Sequence, residues 1–199
     1  MNKIQPFPHP AEALVLARIA EPLRKRLSHL RMMVFDVDGV LTDGSLYYGD
    51  QGEVFKRFHS LDGHGLKMLQ ISGIKVALVT GREGPIVDRR AAELGLGDVM
   101  QNVRDKGAAL LSLAAKHRIE LEHIGFMGDD LIDVPAMQRA GFAATVPDAP
   151  AYIAQAAHWV ATRSGGMGAA RECCDLILAS QQKLGGFFQP GRLGTGAVQ

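Results

Sequence analysis

The 199-residue sequence has little cysteine and almost no net charge, and it has no long apolar run. Its two cysteines, Cys173 and Cys174, are adjacent, which suits neither a sound disulfide nor a metal site, so both are predicted to be buried in a reducing cytoplasm. A net charge of +1 excludes a strong field for nucleic acid or an anionic membrane. Because no run reaches membrane-spanning length and residues 1–10 lack a signal-peptide core, we expect a cytoplasmic protein without membrane or nucleic-acid partners.

The order of the apolar segments predicts one α/β domain. Short apolar strands alternate with helices of roughly ten to fifteen residues, which is the pattern of βαβ units in a parallel sheet. Residues 1–30 are predicted to form a helical extension with a break near Pro22. Residues 31–183 are predicted to form the main domain, and residues 184–199 a flexible, glycine-rich tail.

Residues 44–58 are typical of a β-hairpin, because aromatic and β-branched runs flank a glycine-bounded turn. An isolated hairpin is only marginally stable in water. This one carries four aromatic side chains: Tyr47, Tyr48, Phe55 and Phe58. We therefore expect it to pack against another surface, with a second subunit as a candidate. Asp62, shortly afterwards, is predicted to cap the next helix.

The first strand of the main domain, residues 33–35, stops at two carboxylates one residue apart, Asp36 and Asp38. Residues i and i+2 of an extended segment share a face, so the two side chains are predicted to point the same way. Two like charges side by side are unfavourable unless a cation lies between them, which points to a metal, a substrate or both. The alternative, from these residues alone, is a strand that ends in a polar turn.

Polar side chains follow two later strands as well. Thr80 ends one strand, and Asp129, Asp130 and Asp133 follow another. Lys106 lies at the start of a predicted helix. Because ligands bind beyond the carboxyl ends of the strands in a parallel α/β sheet, we expect all of these residues to meet the two aspartates in one site.

The chemistry of this set suits phosphoryl transfer. The carboxylate of Asp36 can attack phosphorus and form an aspartyl-phosphate. Asp38 can protonate the leaving alcohol and then accept a proton from the hydrolytic water. Mg²⁺ prefers hard oxygen ligands, so it suits Asp36 and Asp129, and it would relieve the repulsion between the carboxylates.

The remaining polar residues have supporting roles in this hypothesis. Thr80 can donate a hydrogen bond to a phosphate oxygen, and Lys106 can supply positive charge to it. Asp130 and Asp133 are expected to hold Lys106 or a metal-bound water.

Four motifs carry a family resemblance. They are Asp36-Val37-Asp38-Gly39-Val40-Leu41-Thr42, which fits the pattern DxDGxx[TS], then Val79-Thr80-Gly81-Arg82, Lys106, and Gly128-Asp129-Asp130-Leu131-Ile132-Asp133. In this order they resemble the haloacid dehalogenase-like superfamily of phosphotransferases, and the second aspartate resembles its phosphatase branch. The resemblance implies a Rossmann-like three-layer sandwich with a central parallel sheet and the roles given above. It also implies that Asp38 binds Mg²⁺ through its backbone carbonyl.

The spacing of the motifs leaves no room for the large cap domain that many members of this superfamily carry. The small hairpin of residues 44–58 stands in place of the cap. The layout resembles capless members whose hairpins associate, which implies a homo-oligomer, specifically a homotetramer built through the hairpin. In such an assembly the hairpin or the glycine-rich tail of a neighbouring subunit is a candidate to cover the site.

The same resemblance implies that the substrate is an acidic sugar phosphate. Four residues are expected to bind it: Thr80, Gly81, Arg82 and Lys106. Weaker candidates for additional positive charge are Arg90, Arg171 and Lys56. The run Gly165-Gly166-Met167-Gly168 also belongs to the resemblance, although its glycines can simply permit a turn before the last helix.

These observations predict a Mg²⁺-dependent phosphomonoester hydrolase. The resemblance favours an eight-carbon keto-sugar acid phosphate of lipopolysaccharide biosynthesis as substrate. One alternative is the same chemistry on a nine-carbon, sialic-acid-type phosphate. A different alternative is a non-catalytic assembly domain that works through its hairpin, which would not require the carboxylates, the threonine and the lysine together.

Overall fold

A computed structural model describes residues 9–189 of the chain. The helices are α1 (Pro10–Leu16), α2 (Glu21–Ser28), α3 (Ser60–Ile71), α4 (Pro85–Leu94), α5 (Lys106–His117), α6 (Val134–Arg139), α7 (Ala151–Ala156) and α8 (Ala169–Ser180). The strands are β1 (Met32–Phe35), β2 (Tyr47–Gly49), β3 (Gly52–Phe55), β4 (Lys75–Val79), β5 (Asp98–Met100), β6 (Ile124–Met127), β7 (Phe142–Thr145) and β8 (Trp159–Val160). Short 3₁₀ helices lie at Leu121–His123, Leu131–Asp133 and Leu184–Phe188.

Six parallel strands form the central sheet in the order β5-β4-β1-β6-β7-β8, and β2 and β3 form a separate antiparallel hairpin. The predicted α/β class with a hairpin insertion is therefore confirmed. Alternate residues of β1 enter two different cores. Met33 and Phe35 contact the core shared with α3, α4 and α8, whereas Met32 and Val34 contact the core shared with α5, α6 and α7.

The helical extension packs on the outer side of α8. It breaks where the sequence predicts, because α1 ends at Leu16 and α2 begins at Glu21 with Pro22 in its first turn. Leu27 of α2 is fully buried in the core. None of the helices within residues 9–189 combines the length and hydropathy that spanning a bilayer requires.

The first residues of the predicted tail are fixed against the extension. Leu184 is buried, the Phe188 ring stacks on His9 with ring centroids 4.6 Å apart, and Gly185 N donates to Glu12 Oε1 at 2.8 Å. Local order therefore continues through the 3₁₀ helix at Leu184–Phe188, where a flexible tail was expected. Residues 190–199, the rest of that predicted tail, lie outside the described residues.

Asp62 does not cap its own helix. His59 caps α3 instead, since its Nδ1 accepts a hydrogen bond from Leu61 N at 3.2 Å. The buried carboxylate of Asp62 accepts hydrogen bonds from Gly168 N at 3.1 Å and Arg171 N at 2.7 Å, in the first turn of α8. Asp62 thus caps a helix as predicted, but the helix is α8 and not α3. The sequence did not show this, because the residues that Asp62 bonds lie 106 and 109 positions further along the chain.

The two cysteines are buried in α8 and form no disulfide, as predicted. Burial raises the pKa of both thiols, so they stay protonated at neutral pH.

Candidate active site

The carboxyl ends of three adjacent strands, β4, β1 and β6, bring the predicted residues together. Asp36 follows β1, Thr80 follows β4, and Asp129 lies two residues beyond β6. Backbone hydrogen bonds extend the sheet by one residue here, from Asp36 N to Met127 O and from Thr80 N to Met100 O, both at 2.9 Å. Backbone hydrogen bonding therefore continues through Asp36 and Thr80, which positions their side chains at the edge of the sheet.

Three carboxylates converge at this edge. One oxygen from each of Asp36, Asp129 and Asp133 lies within 4.8 Å of the others, and we call these residues the carboxylate cluster. Asp133 is fully buried, and its Oδ2 accepts hydrogen bonds from the backbone N–H of Asp129 at 2.9 Å and Asp130 at 3.1 Å. Asp133 thus shapes the loop that presents Asp129.

Lys106 joins the cluster from the first position of α5. Asp105 caps that helix by accepting a hydrogen bond from Ala108 N at 2.9 Å, which sets where the helix begins. Nζ of Lys106 lies 2.8 Å from Asp36 Oδ1 and 2.6 Å from Asp133 Oδ1, and only 1% of the side chain is exposed. Of the two residues predicted to hold Lys106, Asp133 does so, whereas Asp130 is exposed and accepts from Leu131 N at 2.7 Å.

Burial and mutual repulsion dominate the electrostatics of the cluster. Burial, followed by the charge of Asp133, raises the pKa of Asp36 to about 8, although Lys106 partly opposes the shift. The same two causes raise the pKa of Asp129 to about 7. Burial alone would lower the pKa of Lys106, but the facing carboxylates of Asp36 and Asp133 outweigh it and hold that pKa above its ordinary value.

This donor set fits a divalent cation. Hard carboxylate oxygens at this separation are the ligands that Mg²⁺ prefers, and a divalent charge would stabilise ionised forms that burial disfavours. The turn after β1 lies against the cluster, since a Cβ on Gly39, whose φ is +90°, would collide with the carboxylate of Asp129. Asp38 is not part of the carboxylate cluster. Its metal contact through the backbone carbonyl therefore stays a prediction.

Asp38 instead faces the hairpin. Its Oδ1 forms an ion pair with Lys56, which is bonded at 2.9 Å to Glu53 and is only 2% exposed. Arg82 Nε lies 3.9 Å from Asp38 Oδ2, and both of these buried atoms lack a hydrogen-bond partner within the described residues. Besides the cation expected between the two carboxylates, Asp36 and Asp38 each have their own lysine.

The hairpin contacts the substrate-binding candidates of its own chain. Arg82 donates to the hydroxyl of Tyr48 at 2.6 Å and lies 3.6 Å from Glu53. Thr80 is buried, and its Oγ1 accepts a hydrogen bond from Arg82 N at 3.3 Å. There is little room for a side chain at Gly81, because a Cβ there would lie 3.3 Å from the side chain of Ile132.

The three weaker candidates for additional positive charge differ in whether they contact the site. Arg90 bonds to Glu93 at 3.2 Å within α4, and Arg171 bonds to Asp175 at 2.8 Å within α8, so both are neutralised on their own helices. Lys56, ranked with them from sequence, is the one that contacts a site aspartate. Sequence reasoning missed Glu53, since nothing local indicates that it shares Lys56 with Asp38.

The glycine-rich loop, residues 165–168, does more than permit a turn. Gly166 N donates to Val40 O at 2.9 Å, and a Cβ on Gly165 would collide with the carbonyl of Gly39. Backbone therefore packs directly on backbone, and the loop supports the turn that follows β1.

This fold and site are those of a haloacid dehalogenase-like hydrolase, and the chain belongs to that family. The family's sequence profile matches residues 91–171. The 3-deoxy-D-manno-octulosonate 8-phosphate phosphatase KdsC of Yersinia pestis is 41% identical over 168 residues, covering 84% of this chain and 90% of the relative. The same phosphatase from Escherichia coli strain B is 39% identical over 166 residues, covering 83% and 88%.

One similar solved structure contains bound ligands. The 3-deoxy-D-manno-octulosonate 8-phosphate phosphatase of Moraxella catarrhalis, in complex with a magnesium ion, a phosphate ion and a KDO molecule, matches with a TM-score of 0.83 and 39% identity. The match covers 85% of this chain and 98% of that one. The family prediction is confirmed, and the predicted Mg²⁺ agrees both with this homologue and with the carboxylate cluster.

Proposed function

We propose that this protein is a Mg²⁺-dependent phosphatase that hydrolyses 3-deoxy-D-manno-octulosonate 8-phosphate to the free sugar acid and phosphate. The observation that carries the proposal is the buried contact of Lys106 with Asp36 and Asp133 at the sheet edge, in a chain about 40% identical to phosphatases of that name. By the same likeness we place the reaction in lipopolysaccharide biosynthesis in the cytoplasm.

Asp36 is the proposed nucleophile. Lys106 Nζ and Val37 N both contact its Oδ1, at 2.8 and 2.7 Å, which leaves Oδ2 as the oxygen that attacks phosphorus. The new P–O bond forms as the bond to the sugar oxygen breaks. Mg²⁺, held by Asp36, Asp129 and the carbonyl of Asp38, would neutralise charge on the phosphoryl oxygens. Lys106 and the hydroxyl of Thr80 hold these oxygens in line.

Asp38 is the proposed proton carrier. With Oδ1 fixed by Lys56, Oδ2, which has no hydrogen-bond partner within residues 9–189, is the oxygen that protonates the departing sugar oxygen. The same oxygen then accepts a proton from the water that attacks the aspartyl-phosphate, so that phosphate leaves and Asp36 is regenerated. Arg82, whose Nε also lacks a hydrogen-bond partner within the described residues, is the proposed partner of the sugar carboxylate.

We further propose that the protein is a homotetramer assembled through its hairpin. Apolar side chains that are at least two-fifths exposed cluster there: Leu46, Tyr48, Val54 and Phe55. A second subunit would remove this surface from water.

A phosphate-release assay with and without Mg²⁺ tests the function. We expect the eight-carbon 8-phosphate to be hydrolysed with the highest kcat/KM, and chelation of Mg²⁺ to abolish turnover. Equal or higher efficiency on a nine-carbon 9-phosphate would overturn the substrate assignment. Absence of phosphate release from any sugar phosphate would favour the assembly-domain alternative.

A further inference from the structure

A cavity lies away from the carboxylate cluster, between the helical extension, the edge strand β8 with the loop that follows it, and the first half of α8. Its volume is about 740 Å³, which is within the range of small-molecule sites. None of the catalytic candidates lines it: the walls come from α1, the segment between α1 and α2, the start of α3, β8 and α8.

The walls of this cavity are largely apolar and poorly covered. Leu14 of α1 is 68% exposed, and Leu61 at the start of α3 and Val160 of β8 are also exposed. Ile19 and the indole of Trp159 line the same space. An occupant with an apolar body would therefore remove unfavourable contact with water.

The charge left over in the cavity is positive. Both acidic groups in its walls have partners: Glu172 accepts from Thr162 N at 2.8 Å, Thr162 Oγ1 at 2.9 Å and the backbone N of Arg163 at 3.2 Å, and Asp175 binds Arg171. By contrast, the guanidinium groups of Arg18 and Arg163, which also line the cavity, have no ion pair within residues 9–189. Arg18 and Arg163 line the same cavity, and the three arginines of its walls outnumber the two carboxylates, so an anionic group would be attracted there.

We propose that this cavity binds a small amphipathic organic anion, with its apolar body against Leu14, Ile19 and Trp159 and its anionic group between Arg18 and Arg163. The site is separate from the proposed phosphatase reaction, and it is built partly from the helical extension. Carboxylate, sulfonate and phosphate head groups share the chemistry that the two arginines recognise.

Trp159 makes the proposal directly measurable, because it is the only tryptophan of the chain. Two probes of nearly identical shape separate the two parts of the site. 1-Anilinonaphthalene-8-sulfonate carries an anionic group, and N-phenyl-1-naphthylamine has the same aromatic body without it. Each is titrated into the full-length protein while Trp159 emission and energy transfer to the probe are recorded.

We expect saturable binding of the sulfonate at one site per chain. The double variant Arg18→Gln/Arg163→Gln should weaken it about tenfold while leaving the affinity of the neutral probe unchanged. The matched control is Arg31→Gln/Arg89→Gln, which removes the same charge at exposed positions outside the cavity and should bind both probes as the parent does. Phosphate release should be unaffected in both double variants.

Three results would overturn the proposal. One is the absence of a saturable change in Trp159 emission, and another is equal sulfonate affinity in the parent and the Arg18→Gln/Arg163→Gln variant. The third is binding that occurs only after residues 1–8 are deleted, which would show that the start of the chain fills the cavity. The variant Leu14→Glu, on an exposed helix face, should weaken both probes and so checks the apolar wall independently.

Discussion

Asp36 and Asp38 are two positions apart, yet their surroundings come from different parts of the molecule. Asp36 meets Lys106 of α5 and lies beside Asp133, both almost completely buried and held by the central sheet and its helices. Asp38 meets Lys56 at the end of the hairpin, next to Arg82, which is 36% exposed. Identical side chains on one loop thus depend on two different supports, one from the central sheet and its helices and one from the hairpin.

The difference separates the proposed steps of the reaction. The oxygen proposed to attack phosphorus is positioned by core residues, so it should be insensitive to changes in the hairpin. The oxygen proposed to carry protons is positioned by Lys56, so it should respond to any change that moves the hairpin. Substitutions at the core residues and in the hairpin should therefore affect different steps of the reaction.

The largest loss of activity is expected from a substitution of Asp36, which the core residues support. Asp36→Asn should lower kcat by about 10⁴-fold or more, because it removes the proposed nucleophile while keeping the shape of the side chain. Phosphate release measures the loss, and circular dichroism checks the fold. Asp130→Asn is the control, since that carboxylate is exposed and should change turnover little. Undiminished turnover in Asp36→Asn would refute the nucleophile assignment.

The second-largest loss of activity is expected from a substitution of Lys56, through which the hairpin contacts Asp38. Lys56→Met should lower kcat for the sugar phosphate about 10²-fold, the range typical of a lost acid–base contribution. The loss should be much smaller with p-nitrophenyl phosphate, whose leaving group departs without protonation.

Lys56→Arg should restore part of the activity of Lys56→Met. Arg57→Met is the matched control, because the neighbouring cation pairs with Asp43 instead, at 3.0 Å. Equal losses on the two substrates would mean that Lys56 does not act through Asp38.

A smaller effect is expected in substrate binding. Arg82→Gln should raise KM for the sugar acid phosphate about tenfold with little change in kcat, because a charge-assisted contact to the substrate is lost. Arg90→Gln should leave KM unchanged, since Arg90 is already paired with Glu93. A fall in kcat at constant KM would place Arg82 with the reacting groups instead.

The smallest effect on core chemistry is expected from the exposed side of the hairpin. Tyr48→Glu/Phe55→Glu should dissociate the proposed tetramer, because two charges would enter an apolar contact, while turnover of p-nitrophenyl phosphate is largely kept. Mass in solution measures the assembly. Tyr152→Glu, equally exposed but on α7, is the control. An unchanged mass would remove the hairpin as the interface.

The parallel sheet and the set of residues at its carboxyl edge could be predicted because each of these residues follows a strand or begins a helix. Asp36, Thr80 and Lys106 meet since parallel strands place their carboxyl ends at one edge. Asp133 and Asp130 could not be separated, because which one turns inward depends on the loop after β6.

The contacts that sequence reasoning missed join elements far apart along the chain. Asp62 looked like a local cap but bonds to α8, and Lys56 was a weaker candidate for binding the substrate but bonds to Asp38. Local patterns carry no information on such partners, since they are set by how helices and the hairpin pack on the finished sheet.

The contact between Gly165 and Gly39 has a consequence for protein synthesis. The turn that carries Asp38 is near the beginning of the chain, while the glycine-rich loop that supports it comes just before the last helix. On the ribosome, β1 and its aspartates are made long before this support emerges. A nascent or truncated chain that ends before residue 165 should therefore be unable to fix the turn, and hydrolysis would begin only once nearly the whole polypeptide is made.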